Sequence, residues 1–137
     1  MSCFISACGS KQKAHFNRGL AYYNRGQLER SIAEYQKAIQ INPGFAQARN
    51  NLGNVYYNQS KLEEAVVQFQ GAIAINPNYA KAHYNVGVVY HQQGKLEEAI
   101  VQYQQAIASI FNEGKRDNNA GVTYSDPGRL VFGMAVD

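Results

Sequence analysis

Residues 46–79 read AQARNNLGNVYYNQSKLEEAVVQFQGAIAINPNY, and the frame of this stretch recurs on both sides at one constant step. Gly53 has counterparts in Gly19 and Gly87, and Tyr56 in Tyr22 and Tyr90. Phe69 matches Tyr35 and Tyr103, and Ala72 matches Ala38 and Ala106. Pro77 answers to Pro43, while Phe111 stands at the third such place. A fixed period of this length marks stacked supersecondary units. Such a stack makes an extended surface and not an enclosed catalytic hollow, which turns the functional reading toward binding.

Within the quoted stretch the apolar pattern has the helical period. Leu52, Val55 and Tyr56 follow an i, i+3, i+4 step, and Leu62, Ala65, Val66, Phe69 and Ile73 repeat it after a break at Asn58–Lys61. At Ser60 the neighbouring units carry Gly26 and Gly94, residues that stop a helix by accepting a left-handed backbone. Asn42-Pro43 and Asn76-Pro77 close the second helix of their units, since proline disfavours helix at the residue before it. The spacing predicts helices over 13–25, 28–41, 47–59, 62–75, 81–93 and 96–109.

This pattern resembles the tetratricopeptide repeat (TPR) family. Numbered 1 to 34 from Gln12, Ala46 and Ala80, the glycines fall at position 8 and the tyrosines at 11. Ser31, Ala65 and Ala99 fall at position 20, the aromatics at 24, the alanines at 27 and the prolines at 32. The chain departs from the family at position 4, where His15, Arg49 and His83 replace a tryptophan, and at position 7, where Arg18 replaces a leucine. The resemblance implies an all-α solenoid of three helix–turn–helix units (six helices), 12–45, 46–79 and 80–113. Small residues at 8, 20 and 27 let helices cross at about 8–10 Å. The aromatics fill the remaining space, so these residues read as core.

The ends are different. Ile5-Ser6-Ala7-Cys8-Gly9, within a leader of residues 1–11, resembles the lipobox of bacterial lipoproteins, which would make Cys8 a lipidated mature N-terminus. A secretory signal has a basic start and about 7–15 apolar residues. Only seven residues precede Cys8, and none is Lys or Arg. Two readings stand: a truncated start and a membrane-anchored bacterial lipoprotein, or a short disordered leader with two free thiols on a cytoplasmic chain. After Ala108 the repeat pattern fails, and 114–137 reads as an irregular tail in which Val122–Tyr124 and Arg129–Phe132 suggest a weak hairpin. That tail is either an extension covering the open last unit or the cropped end of a longer array, and self-association through that open unit is a further expectation.

The resemblance also implies where a ligand sits: in a concave groove lined by positions 2, 5, 6, 9, 12 and 13 of the first helices. Read onto this chain, the groove residues are Lys13, Phe16, Asn17, Tyr23, Asn24, Asn50, Asn51, Asn54, Tyr57, Asn58, Lys81, Tyr84, Asn85, His91 and Gln92. The set has no carboxylate, so neutral or acidic partners are favoured over basic ones. Asn17, Asn51 and Asn85 occupy position 6 in every unit. A row of amides both donates to and accepts from a peptide backbone, similar to the asparagine ladder of O-linked N-acetylglucosamine transferases; alternatively these are solvated polar residues. The carboxylate clamp of chaperone-binding TPRs fits only at Asn51 and Lys81, and the column Phe16, Tyr23, Tyr57 and Tyr84 either offers contact area or packs against the neighbouring helix.

Composition adds exclusions. The net charge of +3 comes from 13 Lys and Arg scattered along 137 residues, without the patch or stripe of a nucleic-acid binder. His15, His83 and His91 read as partly buried helix residues, with no carboxylate near them at ligand spacing, so neither metal nor cofactor is expected. No phosphate loop or nucleophile–base pairing is present, and the chain reads as non-enzymatic. The leading functional expectation is an interaction module that binds a peptide or partner segment. The alternatives are an envelope lipoprotein with an assembly role and the substrate-recruiting part of a larger enzyme such as a glycosyltransferase.

Overall fold

Six α-helices make up the described residues, 5–116, of a computed structural model. The chain divides into two units, residues 1–76 and 77–137. The first holds α1 (Ile5–Asn24), α2 (Leu28–Ile41), α3 (Ala46–Asn58) and α4 (Leu62–Ile75); the second holds α5 (Ala80–Gln92) and α6 (Leu96–Arg116). The four inner helices match the expected spans to within a residue. The hairpin expected in the tail, and residues 1–4, lie outside the described residues.

The two outer helices correct the sequence reading. α1 begins at Ile5, so most of the expected leader is helical, and α6 runs on to Arg116 and absorbs the start of the expected irregular tail. Both extensions lack a stop signal: no proline occurs in either, and Phe111 stands where Pro43 and Pro77 end the earlier units. Ser109, which breaks the repeat pattern, is helical, and its hydroxyl donates to the Gln105 carbonyl one turn back at 2.8 Å.

Each helix pair is joined by the same turn. Ser60 N–H donates to Tyr57 O (2.9 Å) and Lys61 N–H to Tyr56 O (2.9 Å), a Schellman closure. Gly94 and Lys95 repeat it on His91 and Tyr90. The residue at the turn is left-handed in all three: Gly26 at φ 75°, Ser60 at 62° and Gly94 at 79°. Serine bears a Cβ penalty there that glycine does not. Ser60→Gly is therefore expected to raise stability by about 1 kcal/mol, read as a higher urea midpoint at unchanged slope.

In the first unit Ile32, Tyr35 and Ala38 of α2 close on Ala48, Leu52 and Val55 of α3. The repeated glycine explains how the rings fit. A Cβ at Gly53 would lie 2.5 Å from Phe69 Cε1, and one at Gly19 would lie 2.8 Å from the Tyr35 ring. In the second unit Gly87 gives Tyr103 the same room, with a Cβ there at 2.6 Å. Ser31, at a position otherwise filled by alanine, binds the Gly19 carbonyl through its hydroxyl at 2.7 Å.

Candidate functional site

The first helices α1, α3 and α5 contain no aspartate or glutamate along their whole length. In the first unit Lys13, Asn17, Asn24 and Asn58 stand exposed on α1 and α3, with Asn54, Tyr23 and Tyr57 partly covered. Asn58 Nδ2 donates to Tyr23 Oη at 2.6 Å, which ties α3 to α1 and fixes the spacing of that polar edge. In the second unit His91 and Gln92 are exposed and Lys81 is partly so.

Several expected groove residues lie elsewhere. Phe16 stacks on Phe45 (5.0 Å between centroids) and packs against Tyr35 (5.8 Å), so position 5 serves the packing of α1, α2 and the α3 entry. Asn50, also at position 5, is wholly buried. Tyr84 leans on Tyr103 at 5.7 Å. The position-6 row is not uniform: Asn17 is exposed, whereas Asn51 and Asn85 are buried. Asn51 Nδ2 donates to Tyr35 Oη at 3.4 Å, and its enclosed Oδ1 has no protein donor. Burial pushes the Tyr35 phenol up to about 12, so it stays protonated and has no acid–base use near neutrality. Cys8 lies in the first turn of α1.

The residues that replace tryptophan at position 4 each find a polar partner. Arg49 Nε donates to the Pro43 carbonyl at 3.2 Å, and His83 Nε2 lies 2.9 Å from that of Pro77. Both ring nitrogens of His83 are engaged, since Nδ1 lies 3.0 Å from the Gln102 amide. His15 meets a carboxylate instead: its Nδ1–H donates to Glu34 Oε1 at 2.9 Å. The sequence reading looks for carboxylates only at ligand spacing and so does not reach this pair, whose members stand 19 residues apart. Glu34 comes from α2, beyond the turn, and the signal for it is the period itself, which sets position 23 opposite position 4.

Arg18 (3.1 Å) and Lys37 (3.3 Å) complete the shell around Glu34. The His15 hydrogen bond leads in holding the Glu34 carboxyl below its usual range, with Lys37 and Arg18 adding to it against the effect of burial. A carboxyl lowered on folding stabilises the fold above its unfolded pKa of 4.5, and that contribution disappears as pH falls through the lower folded value. The wild type should therefore lose melting temperature more steeply than Glu34→Gln below about pH 4.5, and no difference in slope would mean the shell contributes nothing.

Among the described residues no group of three His, Cys, Asp or Glu is placed to hold a metal, and no helix is long and apolar enough to cross a membrane. On α5 and α6, Tyr84, His91, Tyr103, Ala106 and Ile107 line a hollow of about 350 Å³. The sequence reading places Tyr84 and His91 in the groove and Tyr103 and Ala106 in the core, and does not join them.

Helix–turn–helix pairs repeating at a constant step, with glycine against an aromatic ring in each, define an all-α repeat protein. A family profile described as TPR repeat matches residues 19–60 and 53–94, and one described as tetratricopeptide repeat matches 80–109. The chain belongs to the tetratricopeptide repeat family. Its fold is similar to that of a structure described as MamA (TM-score 0.73, 24% identity), covering 82% of this chain and 66% of that one. It is also similar to the second TPR of Spaghetti (RPAP3) bound to the HSP90 peptide SRMEEVD (TM-score 0.70, 26% identity), covering 76% and 98% respectively. The N-terminal domain of stress-induced protein-1 (STI-1) from C. elegans matches at TM-score 0.70 and 24% identity, covering 75% and 87%. A search of curated proteins gave no match.

Proposed function

We propose that this chain is a protein–protein interaction module and that its first unit holds a neutral-to-acidic partner segment along the polar edge of α1 and α3. The observation that carries the reading is the charge of that edge. Lys13, Asn17, Asn24 and Asn58 are exposed there, and neither helix contains a carboxylate. Amides pair with a peptide backbone in either sense, while the lysine favours an acidic side chain or terminus. The likeness to the Spaghetti (RPAP3) domain supports the reading, since the HSP90 peptide bound by that protein carries glutamates and an aspartate.

The test is a selection of random peptides on residues 1–137, followed by calorimetry of the enriched peptide on wild type and on Lys13→Ala with Asn17→Ala. Both side chains are exposed, so the double variant keeps the fold. An enriched Asp- or Glu-bearing motif whose affinity falls about tenfold in the double variant supports the reading, because charge-assisted hydrogen bonds contribute at that scale. No enriched motif, or an affinity the double variant leaves unchanged, removes it.

A further inference from the structure

The second unit carries an apolar face with a counterpart inside the first. Leu96, Ile100, Tyr103 and Ile107 follow one another on α6 at steps of four, three and four residues, forming one stripe. Leu96 is 56% exposed, Ile100 54% and Ile107 38%. Two of its members, Tyr103 and Ile107, line the hollow on α5 and α6.

Moving back two repeats turns the hollow's lining into Phe16, Tyr23, Tyr35, Ala38 and Ile39. In the first unit Tyr35 and Ala38 belong to the buried core, and Phe16, Tyr23 and Ile39 pack against it. They close on Ala48, Leu52 and Val55 of α3. Ile32, the counterpart of Ile100, is only 9% exposed there. No further helix among the described residues covers these positions in the second unit, where Ile100 and Ile107 stand exposed. The first unit records what fits: a helix with a small residue, then leucine four residues on, then valine three residues after that.

The polar edge of that interface narrows the occupant further. α3 places Asn51 on the Tyr35 hydroxyl and Asn58 on that of Tyr23, and at its end Gln59 Nε2 donates to Glu29 Oε1 at 2.7 Å. The counterpart of Glu29 is Glu97, and Glu98 replaces Arg30 beside it. Both glutamates are exposed. Two carboxylates where the first unit has one carboxylate and one guanidinium call for a cation at the end of the incoming helix. A second copy stacking head to tail would present α1, whose counterparts of Ala48, Leu52 and Val55 are Ala14, Arg18 and Ala21. Arg18 is engaged by Glu34 at 3.1 Å, and inserting it into an apolar hollow strips its solvation.

We propose that the α5–α6 face is a docking site for an amphipathic helix of a partner protein, with an apolar Ala-x3-Leu-x2-Val-type face and a lysine or arginine at its C-terminal end opposite Glu97 and Glu98. This face shares no residue with the α1–α3 edge of the first unit, and its occupant is of opposite charge. The site and the edge are therefore tested independently.

The probe is a labelled synthetic peptide with the sequence of residues 44–61, titrated into the full chain and followed by fluorescence anisotropy. A second peptide carries Gln59→Lys. Saturable binding is expected, tighter for the Gln59→Lys peptide at low salt, and weakened at least about tenfold by Ile100→Asp with Ile107→Asp in the chain or by Leu52→Asp in the peptide. Both isoleucines are exposed, so circular dichroism of the chain variant should match wild type. Failure to saturate by about 1 mM peptide, or binding indifferent to the chain variant, overturns the proposal. A dimer in sedimentation equilibrium that the same variant dissolves also overturns it, by giving the face to a second copy.

Discussion

Phe69→Ala is expected to destabilise the first unit by about 3–5 kcal/mol, the range for removing a buried aromatic ring from a core that collapses only in part. Phe69 is 1% exposed, and its ring fills the space over Gly53, which has no side chain of its own to refill it. Little is left to move inward and fill the gap. Domains of this size hold on by about 5–15 kcal/mol, so the variant should be partly unfolded near 37 °C. Urea titration followed by helical ellipticity would show this as a large fall in midpoint. A loss under about 1 kcal/mol would mean that the ring is not what holds α3 to α4.

The converse substitution tests the same contact from the other side. Gly53→Val should destabilise by about 2–3 kcal/mol, an overpacking effect larger than the few tenths that valine gains over glycine in helix propensity. The nearest ring atom would stand 2.5 Å from the new Cβ. Neither the ring nor the α3 backbone is a flexible end that can swing aside. Combining Gly53→Val with Phe69→Leu should return part of the loss, with a coupling of about 1 kcal/mol in a double-mutant cycle. Gly71→Ala is the control. Its Cβ meets only the Arg49 side chain, at 3.3 Å, and a long side chain yields, so this helical glycine should stabilise when replaced, by about 0.5–1 kcal/mol. Additive effects at residues 53 and 69 would show that the glycine is kept for some reason other than this ring.

The fold was legible in the sequence because its determinants are repeated. Gly53, Phe69 and Ala72 mean little singly, but three copies at one spacing leave a helix pair as the common solution. Where copies disagree, the reading fails. Phe111 in place of a proline let α6 run about two turns further, and the absence of any stop before Gln12 let α1 start earlier. The site was less legible, since exposure depends on both neighbours of a helix. Asn17 and Asn51 share a position number, yet one is exposed and the other lies under the Tyr35 hydroxyl. The Glu34 cluster joins α2 to α1 through His15 and Arg18 and has no copy in the other units, where glutamine stands at Gln68 and Gln102.

The hydrogen bond from Asn58 to Tyr23 spans 35 residues, barely more than one repeat. Its neighbours, Asn51 with Tyr35 and Gln59 with Glu29, span 16 and 30. A chain whose partners are this near one another closes only short loops while it folds, and low contact order goes with fast folding. On the ribosome, where about 5–20 residues emerge each second, the partners of the first unit are all outside the exit channel within seconds of one another. That unit can finish folding while α6 is still being synthesised, so its apolar stripes need little protection from the crowded surroundings into which they are born.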